Sequence, residues 1–249
     1  MEIRGKVAVI TGAGSGIGRA TSMRLANDGA SIVIADVDEG GGAETVKLIE
    51  KEGGRAMFVR ADVTQEVDAR KMIDAAVQKL GGLDILYNNA GVGTGVPPFP
   101  EASLPQWRRV IDIDLTAVIM GTWIAAPLIQ KHGGGAIINT ASINADTPNP
   151  TLLAYATTKG EIQNFTAGLA LLLAEKGIRA NAVAPGPIWT PLIPSTMPEE
   201  AVANFGKSVP MKRAGQPAEL ATAYVMLAGP LSSYVSGATI AVTGGKPIL

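Results

Sequence analysis

The chain has 249 residues, 47% hydrophobic and 17% charged, with a formal net charge of −1 and no cysteine. That balance offers no basic field for nucleic acid, and the missing thiols exclude disulfides and thiolate metal sites. The one histidine, His132 in the turn KHGGG, excludes a histidine-based triad or a multi-histidine metal site and reads as a solvated helix-end residue.

Along the chain, short apolar runs alternate with stretches of helical periodicity. Strands are expected at 6–10, 31–35, 56–59, 85–87, 136–139, 179–183 and 239–242. Helices are expected between them at 17–28, 41–52, 66–80, 106–131, 155–175 and 217–228. Short apolar strands that alternate with helices imply an α/β fold: a doubly wound, Rossmann-type parallel sheet of about seven strands with helices on both faces. No linker or repeat divides residues 1–249, so one domain is expected. The stretch 185–213 is rich in proline and poor in periodicity, which suggests a loop over a ligand at the carboxyl edge of the sheet. No run reads as a membrane span, and MEIRGKVAVI has no signal-peptide pattern, so a cytoplasmic, reducing setting is expected.

The first strand runs directly into TGAGSGIG (11–18), which opens the first helix. Gly12, Gly14, Gly16 and Gly18 remove side chains where the backbone must turn sharply and approach a pyrophosphate. The helix amino end adds free N–H groups and the positive end of its dipole, with Ser15 and Ile17 completing the turn. At the end of the second strand, Asp36 stands where an adenosine ribose would lie. A carboxylate there accepts hydrogen bonds from both ribose hydroxyls and repels a 2′-phosphate. Neither Ser15 nor Val37 offers a cation to that phosphate, so NAD is favoured over NADP. Farther on, YATTK places Tyr155 and Lys159 on one helical face, one turn apart, with Ser142 shortly upstream. A phenol beside a fixed cation suits proton transfer at a carbon–oxygen bond.

Taken in order, TGAGSGIG, Asp62-Val63, Asn88-Asn89-Ala90-Gly91, Ser142, Tyr155-x-x-x-Lys159 and Pro185-Gly186 resemble the short-chain dehydrogenase/reductase family over essentially the whole chain. The resemblance implies that Asp62 and Val63 contact adenine, and that Asn89, Ala90 and Gly91 line the cofactor beside the central strand. It implies that the loop from Pro185 and Gly186 brings Ile188 and Thr190 to the nicotinamide carboxamide. In the same reading Ser142 holds the substrate oxygen, Tyr155 moves the proton, and Lys159 binds the nicotinamide ribose while acidifying the phenol. Elementary electrostatics agrees: an ammonium about 4 Å from a phenolate stabilises it by about 4 kcal/mol at an effective dielectric near 20. General acid/base catalysis is most effective when the group titrates near working pH.

Two positions depart from the family pattern. Asp114 in VIDIDLTAV stands where relatives carry an asparagine of the catalytic set. A carboxylate close to Lys159 offsets part of the lysine's pull, so oxidation is expected to need more alkaline pH than with asparagine. Thr243 stands where relatives often carry aspartate, with no functional consequence drawn. Candidate substrate residues are Val92, Gly93 and Thr94 after NNAG, Ile143 and Asn144 after the serine, and Trp189 and Leu192 in the loop. These suit a small secondary alcohol, diol or polyol and its ketone or aldehyde. An NADPH-dependent carbonyl or 3-oxoacyl reductase is the enzymatic alternative, and a nucleotide-sensing regulator the non-enzymatic one. No metal, nucleic-acid or membrane partner is expected. The apolar helix GLALLLAEKG, together with the family's habit, points to a homotetramer.

Overall fold

In the computed structural model, residues 3–93, 97 and 99–248 are described, apart from the Thr196 side chain. VAVIT forms β1 (Val7–Thr11), in which every residue is buried. That burial on both faces explains why the run is continuously apolar rather than alternating. The other strands are β2 (Ser31–Asp36), β3 (Arg55–Arg60), β4 (Ile85–Asn88), β5 (Gly135–Thr140), β6 (Ile178–Pro185) and β7 (Thr239–Val242). They form one parallel sheet in the order β3-β2-β1-β4-β5-β6-β7. The order reverses between β1 and β4, where open sheets of this kind leave a crevice for ligands.

The helices are α1 (Gly16–Asn27), α2 (Glu39–Lys51), α3 (Glu66–Ala75), α4 (Leu104–Ile111), α5 (Ala117–Lys131) and α6 (Leu153–Leu173). Beyond β6 come α7 (Leu192–Thr196), α8 (Glu199–Asn204) and α9 (Pro217–Ala228). Strand pleating divides the core in two. Ala8, Ile10, Ile32 and Ile34 pack with Leu25 of α1, Ile49 of α2 and Val225 of α9. Val7, Val9 and Val33 pack on the opposite face with Ile73 of α3, Ile129 of α5 and Leu169 of α6.

All seven expected strands are present, with ends shifted by a residue or two. Several expectations need correction, and the expected helix 66–80 ends in a π turn at Ala76–Leu80. The stretch 185–213 contains α7 and α8, each preceded by a proline (Pro191 at φ −56°, Pro198 at φ −58°) whose ring presets the entry to a helix. The expected helix at 106–131 is three pieces: α4, a π turn at Asp112–Thr116, and α5. By length and mean hydropathy (1.5), the run Leu104–Lys131 also meets the measure of a membrane span, contrary to the sequence reading. Its apolar residues Val118, Ile124, Ala125 and Ile129 are buried within the fold. His132 closes α5, 3.7 Å from Asp84 at the amino end of β4, on the edge of the sheet opposite the crevice.

Candidate active site

A cleft of about 820 Å³ runs along the carboxyl ends of β1 to β4. Its floor is the turn between β1 and α1. Gly12 has φ +64°, and a Cβ there would lie 2.9 Å from Cα of Ala90. A Cβ on Gly18 would collide with the carbonyl of Gly12, so the helix can approach the strand this closely only with glycine. No side chain caps α1 at Ser15, and Ser15, Gly16 and Ile17 all line the cleft. The N–H groups of α1's first turn therefore remain available to an anion. A dinucleotide fits this cradle in shape and in charge.

Around the turn, Asp36 accepts the Gly14 N–H at 2.8 Å and the Asp38 N–H at 3.0 Å. Asp62 and Val63 extend the wall past β3, with the Asp62 carboxylate accepting the Thr64 hydroxyl at 2.7 Å. Asn89, Ala90 and Gly91 form the opposite wall. The Asn89 amide donates to the carbonyls of Thr11 (3.0 Å) and Gly12 (3.1 Å), while Thr11 Oγ1 accepts the N–H groups of Asn89 and Ala90. Thr190 and Leu192, from the loop after β6, also line the cleft.

Tyr155, Lys159 and Ser142 do not line this cleft; Val92, which does, also borders a second, small pocket against Tyr155. Lys159 Nζ sits 5.3 Å from the centre of the Tyr155 ring, donates to the Thr140 carbonyl at 3.1 Å, and faces Asp114 Oδ2 at 3.3 Å. Asp114 is fully buried in the π turn, and its Oδ1 accepts the Val92 N–H at 2.7 Å. Among the described residues its Oδ2 has only the ion pair, without hydrogen-bond geometry. Burial pushes the Asp114 carboxyl above the usual carboxylate range, although Lys159 and the Val92 N–H oppose it. Burial works against the Lys159 ammonium too. There the charges of Asp114 and Tyr155 prevail, and Lys159 titrates above an ordinary lysine. The turn after Ser142 (Ile143–Ala145) packs on α6 and so carries Ser142 to the same helix as Tyr155 and Lys159.

Other expected residues sit elsewhere. Gly186 lies beneath the loop, where a Cβ would meet Cα of Thr243 at 2.8 Å, and Pro185 ends β6 beside it. Ile188 is buried and bridges to Gly215. Trp189 turns away from the cleft to pack on Phe205, ring centres 6.2 Å apart. Val92 and Gly93 adjoin Tyr155, Ile143 is buried, Asn144 contacts Ser142, and Thr94 lies outside the described residues.

Sequence reasoning missed two groups. Pro105, Arg108, Arg109 and Asp112 line the cleft from α4 and its π turn. Their spacing of three, four and seven marks one helical face, a signal visible beforehand. The second group is a buried hydrogen-bond chain. Tyr87 donates to Asn89 Oδ1 at 2.8 Å, and Thr140 bridges the Tyr87 and Tyr224 hydroxyls at 3.1 Å each. Burial pushes the Tyr224 phenol up to about 12 and Tyr87 well above a normal tyrosine, so both are neutral hydrogen-bonding groups.

Comparison with known proteins gives the family of the whole chain. A family described as enoyl-(acyl carrier protein) reductase matches residues 12–246. The chain is 41% identical to the NADPH-dependent aldehyde reductase 1, chloroplastic, of Arabidopsis thaliana, covering 99% of this chain and 88% of that one. It is 41% identical to the glucose and ribitol dehydrogenase of Daucus carota, covering 98% and 86%. Among solved structures, 7α-hydroxysteroid dehydrogenase complexed with NADH and 7-oxo glycochenodeoxycholic acid superposes with a TM-score of 0.93 at 35% identity, covering 99% and 96%. The cleft, the glycine turn and these relatives together make the chain a member of the short-chain dehydrogenase/reductase family, an NAD(P)-dependent oxidoreductase acting on alcohol- and ketone-type substrates.

Proposed function

We propose that this enzyme interconverts a small secondary alcohol, diol or polyol and its carbonyl compound, with NAD preferred over NADP. The carrying observation is the juxtaposition of Tyr155 and the buried Lys159 ammonium on α6, with the turn after Ser142 packed against that helix and Val92 joining it to the cleft wall. A bound nicotinamide dinucleotide supplies the hydride donor or acceptor. The glycine turn and the amino end of α1 hold its phosphates. Asp36 receives the adenosine ribose hydroxyls, and Asp62 and Val63 flank the adenine. Asn89, Ala90 and Gly91 form the opposite wall, and Thr190 approaches the carboxamide. Ser142 holds the substrate oxygen. Tyr155 takes the alcohol's proton during oxidation and returns it during reduction, with Lys159 stabilising the charged phenol and Asp114 moderating that effect.

Support for a polyhydroxy or secondary-alcohol substrate comes from relatives named for glucose, ribitol and a hydroxysteroid. Asp36 supports NAD, since it meets a 2′-phosphate with like charge. The NADPH-dependent aldehyde reductase among the relatives keeps the reverse preference as a second reading. A homotetramer in a cytoplasmic setting completes the proposal, supported by exposed apolar side chains on α5 and by the absence of cysteine.

The test is a turnover screen of cyclohexanol, 2,3-butanediol, ribitol, glucose and a 7-hydroxysteroid, with NAD and NADP in parallel. Turnover of at least one with NAD is expected. Binding of NAD without turnover of any compound would return the protein to the regulator reading.

A further inference from the structure

Ser142 carries a hydrogen-bond arrangement that the proposed chemistry alone does not require. Its Oγ accepts the backbone N–H of Asn144 at 3.1 Å and the side-chain amide of Asn144 at 3.4 Å. The orientation of that amide is set from the other side, because the Asn149 N–H donates to Asn144 Oδ1 at 3.2 Å. With the amide oxygen occupied there, the NH₂ group turns to Ser142. A hydroxyl has two lone pairs and one proton. Both lone pairs of Ser142 Oγ therefore face donors, and only its own proton remains to be given. Ser142 is 4% exposed, so water does not compete freely for this arrangement.

We infer that Asn144 is a positioning residue that makes Ser142 a donor only, its hydroxyl proton committed to the substrate oxygen. This rests on the assignment of Ser142 to that oxygen above. The group recognised is a hydrogen-bond acceptor: a carbonyl oxygen in reduction, or the lone pair of an alcohol becoming an alkoxide in oxidation. A second consequence concerns Tyr155. With the acceptor positions of Ser142 filled, the phenol has no place on the serine for its proton. The proton reaching the product oxygen in reduction comes from Tyr155, and Ser142 keeps its own throughout. Asn144 thus separates the two hydroxyls into a fixed donor and a proton carrier.

The test uses the full-length enzyme and the best alcohol–ketone pair from the screen above. Asn144→Ala keeps the backbone donor and loses the amide, so kcat/KM should fall about five-fold, the scale of one neutral hydrogen bond. Asn144→Asp replaces a donor with an acceptor that draws the serine proton to itself, and the loss should reach about fifty-fold, as for a hydrogen bond to a charged group. The dissociation constant of NADH and Tm should not move in either variant. In a Ser142→Ala background both Asn144 substitutions should have no further effect. The affinity of the ketone in its non-reacting complex with NAD should follow the same pattern, and this reading needs no turnover. Losses that persist undiminished without Ser142, or full activity in Asn144→Asp, would overturn the inference. If Ser142→Ala itself leaves catalysis and ketone affinity intact, the assignment of Ser142 has failed instead. A parent enzyme inactive on the whole panel defeats the proposed function before Asn144 is reached.

Discussion

At the scale of single residues, Asp114 and Lys159 set the electrostatics of the site. Lys159 donates one hydrogen bond, to the Thr140 carbonyl, and its charge is paired with Asp114 across 3.3 Å. The raised titration of Lys159 contributes stability that is present below about pH 10.4 and lost as pH climbs through the folded value. The raised Asp114 acts in the opposite sense: folding grows less favourable as pH rises from about 3.9 through its folded value. Asp114→Asn removes that cost but also the charge that raises the buried Lys159, and loss of the ion-pair partner should prevail and lower Tm at neutral pH. The substitution should also leave the Lys159 charge uncompensated, moving the acidic limb of the pH–rate profile down by about one unit. An unshifted limb with activity retained would remove Asp114 from the tuning of this site. Within the cleft, Asp36→Ala should raise the NADP/NAD ratio of kcat/KM by about ten- to a hundred-fold, one to two units of lost charge repulsion. An unchanged ratio would place discrimination elsewhere.

At the scale of elements, the π turn between α4 and α5 is the main departure from regular structure. Hydrophobic periodicity reads 106–131 as one helix, because a single wider turn hardly disturbs a 3.6-residue pattern. That turn holds Asp114 in the interior beside Lys159 while Asp112 lines the cleft. Beneath the site a polar ladder joins four elements. Asn88 donates to Thr122 of α5 (3.2 Å) and to Asn139 of β5 (2.9 Å), and Asn139 donates to Thr166 of α6 (2.9 Å). Asn139→Ala should cost about 2–4 kcal/mol in urea unfolding, because it leaves buried partners unpaired. A loss below about 1 kcal/mol, the net worth of one ordinary hydrogen bond, would show that the ladder relaxes around the gap. The motif NNAG was legible through its family resemblance, but only packing divides its two asparagines, Asn88 to this ladder and Asn89 to the glycine turn.

At the scale of the whole molecule, the surface leaves Trp123 of α5 62% exposed, Leu171 of α6 86% and, just beside it, Leu172 64%. Arg70 lies over the Trp123 ring at 5.3 Å, which shields part of one face. Light scattering should give a tetramer for the parent chain and smaller species for Trp123→Glu combined with Leu171→Glu. A monomeric parent would rule out the proposed assembly. Seven strands, the glycine turn, the place of Asp36 at the end of β2 and the one-turn spacing of Tyr155 and Lys159 were all legible in the sequence, since each depends on spacing within a few residues of chain. The ion pair of Asp114 with Lys159, the Tyr87–Thr140–Tyr224 chain and the departure of Trp189 toward Phe205 were not. Each joins groups far apart in sequence, and their orientation is set by a π turn, a strand register and a loop path that local periodicity does not encode. The amino-acid order by itself determined which chemistry the chain carries, and the packing of distant elements decided how that chemistry is tuned.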